Sequence, residues 1–170
     1  STKSDTAATA QMGQLLNGFG SAAKKAADSG DLGGAGMFSS QATQASDLYQ
    51  DQIAAGMNPG SAWESVRAVS TAFGGDFSHA KDNLAVLQRM ANRRGVSLTE
   101  MGQRAAEIRD IFGPVIVGKN TTVDLVGHTS DAVSQLMQTF DDYETRNNGR
   151  HLSIDGLTRI KNNVIALKSK

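Results

Sequence analysis

From Gly95 to the pair Gly113-Pro114 the chain spells out one complete helix, and this segment constrains the fold more than any other. Ser97 and Glu100 stand in capping-box register: the hydroxyl can accept from a free N–H of the first turn while the carboxylate reaches back to the N–H of the cap. Met101, Ala105, Ile108, Ile111 and Phe112 then recur on one helical face, and the Gly-Pro pair stops the run. A second box, Ser61 with Glu64, predicts a helix from Ser61 to Phe73 through Trp63, Val66 and Val69.

The same periodicity extends on both sides. Phe38, Ala42, Ala45, Leu48, Tyr49, Ile53 and Met57 form a stripe that ends at "GMNPG". Ser78 is expected to cap a helix carrying Leu84, Leu87, Met90 and Ala91, closed by Gly95, with Arg93 and Arg94 suiting the negative end of the helix dipole. "PVIVG", residues 114–118, is the only β-like run, and without a partner it reads as a buried connector. Thr121 or Thr122 is expected to cap a long helix through Val126, Val133, Leu136, Met137 and Phe140. Ser153 is expected to cap a last one with Ile154, Leu157, Ile160, Val164 and Leu167.

These segments predict an all-α fold: a single bundle-like domain of five or six helices over residues 37–170. Its core should hold Trp63, Phe73, Leu87, Ile108, Phe112, Leu136, Phe140 and Ile160. Residues 1–36, rich in Ala, Ser and Gly, read as a flexible arm. Met12, Leu15, Leu16 and Phe19 allow one short amphipathic helix there, and "SGDLGGAG", residues 29–36, reads as a hinge.

Charge and composition narrow the function. Seventeen basic residues balance seventeen acidic ones, so no overall field attracts nucleic acid or anionic lipid. The absence of cysteine removes disulfides, thiol catalysis and sulfur-ligated zinc. No apolar run approaches the length of a membrane span, and "STKSDTAATAQ" is unlike a cleaved leader. The expectation is a chain made in the cytoplasm without a signal peptide, free of membrane insertion, and exported, if at all, by a machine that needs no leader.

The stretch "FDDYETRNNGRHLSIDGL", residues 140–157, raises the question of a metal. With Gly149 at the sixth position of a calcium loop, Glu144, Asn148 and Asp155 fall at positions 1, 5 and 12 as oxygen donors, and they are the candidate ligands. Arg146, however, occupies position 3 and His151 position 8. Shifting the register by one places Leu152 at position 8 but leaves no carboxylate among the ligand positions. The expectation is therefore no physiological metal and no cofactor. A turn of Asn-Asn-Gly chemistry should lead into the Ser153 cap, with Asp142 or Glu144 paired to Arg146 or Arg150.

Phe140-Asp141, Gly149, Leu152-Ser153 and Leu157 resemble a segment found in proteins handled by bacterial type III and related secretion systems, translocators and harpin-like proteins among them. In size and composition the chain is also similar to small type VI effectors. The resemblance implies a secreted virulence-type effector whose partner is a host protein or a component of the secretion machinery.

No phosphate-binding Gly-Lys-Ser/Thr loop, His-Glu-x-x-His or Gly-x-Ser-x-Gly is present, and "GGAG" at residues 33–36 follows no strand. His79, His128 and His151 share no metal or triad spacing and read as surface or helix-end residues. Arg89, Arg93, Arg94, Arg104 and Arg109 are interspersed with acids and read as a salt-bridged surface rather than a phosphate groove. From Thr145 onward, by contrast, Arg146, Arg150, Arg159, Lys161, Lys168 and Lys170 face only Asp155, which marks the C-terminal end as the candidate interaction face. The leading expectation is a non-enzymatic effector that binds a protein. The alternative is a structural or adaptor protein of a phage or secretion apparatus, and a small enzyme using one of the histidines comes third.

Overall fold

The structure is a computed structural model and describes residues 2–113, 115–117, 121–123 and 130–168. Among these residues lie seven helices: α1 (Thr2–Asp28), α2 (Leu32–Ala54), α3 (Pro59–Phe73), α4 (Ala80–Arg94), α5 (Leu98–Phe112), α6 (Ser130–Arg146) and α7 (Ile154–Lys168). Two three-residue strands, β1 (Val115–Val117) and β2 (Thr121–Val123), separate α5 from α6. The fold is all-α.

Several boundaries differ from those read in the sequence. The expected loose arm is instead the 27-residue helix α1, packed on α2 and α3 with Ala8 and Met12 buried. Its alanines are the residues with the strongest intrinsic helix preference, and Met12, Leu15, Leu16 and Phe19 supply the stripe that docks it. The expected hinge shrinks to Ser29–Asp31. Gly30 turns at φ +85°, and the Asp31 carboxylate accepts the Gly34 N–H at 2.8 Å, so Gly33, Gly34 and Gly36 lie within α2.

Helix α3 starts earlier than Ser61. Asn58 is its cap, accepting the Ser61 N–H at 2.8 Å, with Pro59 at the first helical position where a missing N–H costs nothing. Ser78 does not cap α4. The cap position is His79, in left-handed conformation and without a side-chain cap bond, while the Ser78 N–H goes to Asp76. Ser97 caps α5 as expected, accepting from the Glu100 N–H at 3.0 Å, and Gly95 closes α4 at φ +65°. The β-like run does have a partner: Val115 pairs with Val123 and Val117 with Thr121, antiparallel. Thr121 and Thr122 are thus in a strand, and α6 begins at Ser130; Val126 and His128 lie outside the described residues.

The core is built around α3, which buries Ala62, Ser65, Val66, Ala68, Val69, Ala72 and Phe73 and touches α1, α2, α4 and α5. Small residues let α5 approach closely: a Cβ on Gly102 would lie 3.0 Å from the Ala68 carbonyl oxygen. Of the expected core, Phe73, Leu87, Ile108, Phe112 and Phe140 are buried, while Trp63, Leu136 and Ile160 are partly buried against it. Helices α4 and α6 run side by side in the same direction. His79 meets Asp131 at their N-terminal ends, Arg89 donates to Gln138 midway, and Arg93 meets Asp141 towards their C-terminal ends.

The α3–α4 connection is also ordered by its own polar groups. Asp76 Oδ1 accepts from the Ser78 N–H at 2.9 Å and from Gln41 at 3.1 Å, and Gln41 in turn accepts the Phe77 N–H. Burial raises the Asp76 carboxyl, but hydrogen bonds from Ser78, Gln41 and the Ser130 backbone outweigh it and hold the group below the ordinary carboxylate value. The folded pKa being lowered, this contribution to stability is present at neutral pH and is lost as pH falls through it.

Candidate functional site

The residues quoted for a metal loop assemble into a different object, a cluster of ion pairs joining α4, α5 and α6 to the α6–α7 loop. Helix α6 places Asp141 and Glu144 three residues apart on its inner face, with side chains 6% and 2% exposed. Carboxylates at that depth need cations and hydrogen bonds, because an uncompensated buried charge is very costly. Arg94, itself 6% exposed, donates from Nε to Asp141 Oδ1 at 2.8 Å and from Nη2 to Glu144 Oε2 at 3.4 Å. It also donates to the Asp141 carbonyl at 3.0 Å and to the Gly149 carbonyl at 2.6 Å.

Two further cations complete the cluster. Arg104 on α5 donates to Glu144 Oε1 at 3.0 Å and to the Leu152 carbonyl at 2.9 Å, and lies 3.5 Å from Glu107. Arg93 binds Asp141 and, at 3.3 Å, Asp142. These two acids, Asp141 before Asp142, hold the Arg93 guanidinium pKa above its ordinary value. His151 Nδ1 stands 2.6 Å from Glu144 Oε2. A void of about 10 Å³ lies between the charged groups of Arg104, Asp141, Glu144 and His151 and the apolar side chains of Met90, Met101, Ile108 and Met137.

The partners differ from those expected. Glu144 and Asp142 pair with Arg93, Arg94 and Arg104 rather than with Arg146 or Arg150, because the acids lie on the side of α6 that faces α4 and α5. Arg93, Arg94 and Arg104 reach across to α6, while Arg104 with Glu107 and Arg109 with Asp110 also form the expected surface pairs on α5. The sequence carried half of this signal, since Asp141, Asp142 and Glu144 sit near a helix C-terminus where the dipole disfavours them and so call for cations.

The three calcium candidates are not gathered on one point. Glu144 is occupied by two guanidinium groups and an imidazole, Asn148 is exposed in left-handed conformation at φ +74°, and Asp155 is exposed in the first turn of α7. Among the described residues no group of three or more His, Cys, Asp or Glu side chains is placed to hold a metal ion. Ser153 does cap α7, accepting the Gly156 N–H at 3.0 Å. Calorimetric titration with calcium is expected to give no heat in the range of sensor sites, Kd of about 10⁻⁵ M or below. Ser153→Ala is expected to lower unfolding free energy by about 1 kcal/mol. Tight calcium binding lost on Asp155→Ala would reverse this assignment.

The candidate interaction residues are elsewhere on the same corner. Arg146, Arg150 and Arg159 are exposed, Lys161 is half-buried, and none of the four forms an ion pair among the described residues; Lys168 ends α7. Tyr143 on α6 and Ile154 at the start of α7 are 53% and 57% exposed. Of the histidines, His79 is 59% exposed at the start of α4 and His151 borders the ion cluster. No described helix is long and apolar enough to cross a membrane. A scan against protein-family models, a search of curated proteins and a search of solved structures return no match to this chain.

Proposed function

We propose that this chain is a non-enzymatic bacterial secreted effector that acts by binding a protein partner through the α6–α7 corner. One observation carries the reading. Arg93, Arg94 and Arg104 are consumed by internal acids, whereas Arg146, Arg150 and Arg159, on α6, α7 and the loop between them, stand exposed and without an ion pair among the described residues, and the same two helices carry exposed Tyr143 and Ile154. Tyr143 and Arg146, three apart on α6, share a face. Tyrosine and arginine are the residue types enriched in protein interfaces, and unpaired cations steer encounter with an acidic surface. The likeness of residues 140–157 to secretion-associated proteins supplies the bacterial and export parts of the reading.

The test is export. The tagged chain is expressed in a bacterium with an intact type III or type VI apparatus and in a strain with that apparatus deleted. Appearance in the medium only from the first supports the reading, and equal amounts from both overturn it. Co-sedimentation with phage or apparatus particles favours the structural or adaptor alternative instead. Changing Arg146, Arg150 and Arg159 together to Glu should abolish any effect of the exported chain on its target cell while each change moves folding stability by no more than about 0.5 kcal/mol.

A further inference from the structure

Helix α7 is fastened differently from the central helix α3. Where α3 buries seven residues, α7 buries only Leu157 among its described side chains. Ile160, Val164 and Ile165 are partly covered, and Ile154 and Leu167 are 57% and 72% exposed. What holds the start of the helix is polar: Arg94 on the Gly149 carbonyl, Arg104 on the Leu152 carbonyl, and His151 against Glu144. The loop that leads into α7 has two consecutive left-handed residues, Asn148 at φ +74° and Gly149 at φ +72°.

From this we infer that α7 is a detachable helix, held by one deep side chain, a few partly covered ones and a charged latch, and that it leaves the bundle while the α3–α5 core stays folded. Segments with few buried apolar contacts open at a lower free energy than the whole domain, and a latch of hydrogen bonds to loop carbonyls can be broken without disturbing the α3–α5 core. Undocking carries Arg159 and Lys161 of α7 away from Arg146 of α6, so it controls whether the basic residues of the two helices meet a partner together. That use of the motion rests on the function proposed above, whereas the motion itself does not.

Hydrogen exchange of the intact chain tests it. Amides in the middle of α7, residues 158–164, are expected to exchange at least 100-fold faster than the slowest amides of α3 and α5. His151→Ala, at a half-exposed position, should accelerate the α7 amides at least 10-fold more while leaving α3 and α5 unchanged. Leu157→Ala should do the same by removing the deep anchor. The inference is overturned if the α7 amides are as protected as those of α3 and α5, or if both variants accelerate every helix equally. If His151→Ala leaves α7 exchange unaltered, the latch is wrong. A chain that passes this test but is not exported retains a detachable helix without the proposed function; the opposite result leaves the basic corner as a fixed surface.

Discussion

Replacing Glu144 by alanine is expected to destabilise the protein by about 3–5 kcal/mol, measured as the loss of unfolding free energy in a urea titration. The side chain is 2% exposed and is the meeting point of Arg94, Arg104 and His151. Removing the carboxylate leaves two guanidinium groups deep in the structure, with Asp141 and Glu107 as their remaining anions. The cost is the penalty of stranding those cations rather than the net worth of the ion pairs, which against apolar replacements can be close to zero. Arg146→Ala, at an exposed position two residues further along, should change stability by no more than about 0.5 kcal/mol. Equal, small effects of the two substitutions would show that the cluster is solvated in the native state.

Phe77→Ala is expected to cost about 3–5 kcal/mol by the same measurement. Phe77 is 1% exposed although it belongs to no helix. Its ring stands edge-on to Phe19 of α1, centroids 6.0 Å apart and planes at 83°, a favoured aromatic geometry. Truncation therefore opens a cavity where the α3–α4 connection meets α1. Phe19→Ala should be milder, since that ring is only partly buried. An effect of Phe77→Ala below about 1 kcal/mol would mean that α1 does not rest on this connection.

Phe77 also shows what periodicity misses. A core residue in a loop has no helical stripe to announce it; it is recognisable only once Gln41 has captured its N–H and Asp76 has organised the turn. Where the stripe and the cap fall in one segment, as in Ser97 to Phe112, sequence and structure agree almost to the residue. Asn58 takes the cap from Ser61 because the Asn-Pro pair supplies both an acceptor and a preset first turn, beginning three residues ahead of the box. The first helix departs from expectation for an opposite reason: among its small residues alanine, unlike glycine and serine, is the best helix former. Beyond that, Gly33, Gly34 and Gly36 are held helical by the Asp31 cap and the docking of α2 along α1.

The ion cluster was legible only in its parts. Frustrated acids at the end of α6 and adjacent arginines at the end of α4 are visible in the sequence, but their pairing joins residues 47 to 50 positions apart. Arg146 and Arg150 are the nearest cations in sequence. They lose to Arg93, Arg94 and Arg104 because the face on which Asp141 and Glu144 lie is set by the apolar stripe of Val133, Met137 and Phe140, and that stripe must point at α4 and α5.

The parallel course of α4 and α6 bears on the order in which the molecule assembles. Two helices running the same way cannot be joined by a tight turn, so the chain must first travel back along α5 before α6 can lie beside α4. Every bond from Arg94 to α6 and its loop closes a separation of 47 to 55 residues. Contacts across such separations bear the full entropy of loop closure and become favourable only after the intervening segment is fixed. The α3–α5 pair, anchored by Ala68 against Gly102, can therefore form the frame, with the arginine cluster closing on it late and its loss registering as faster unfolding more than as slower folding.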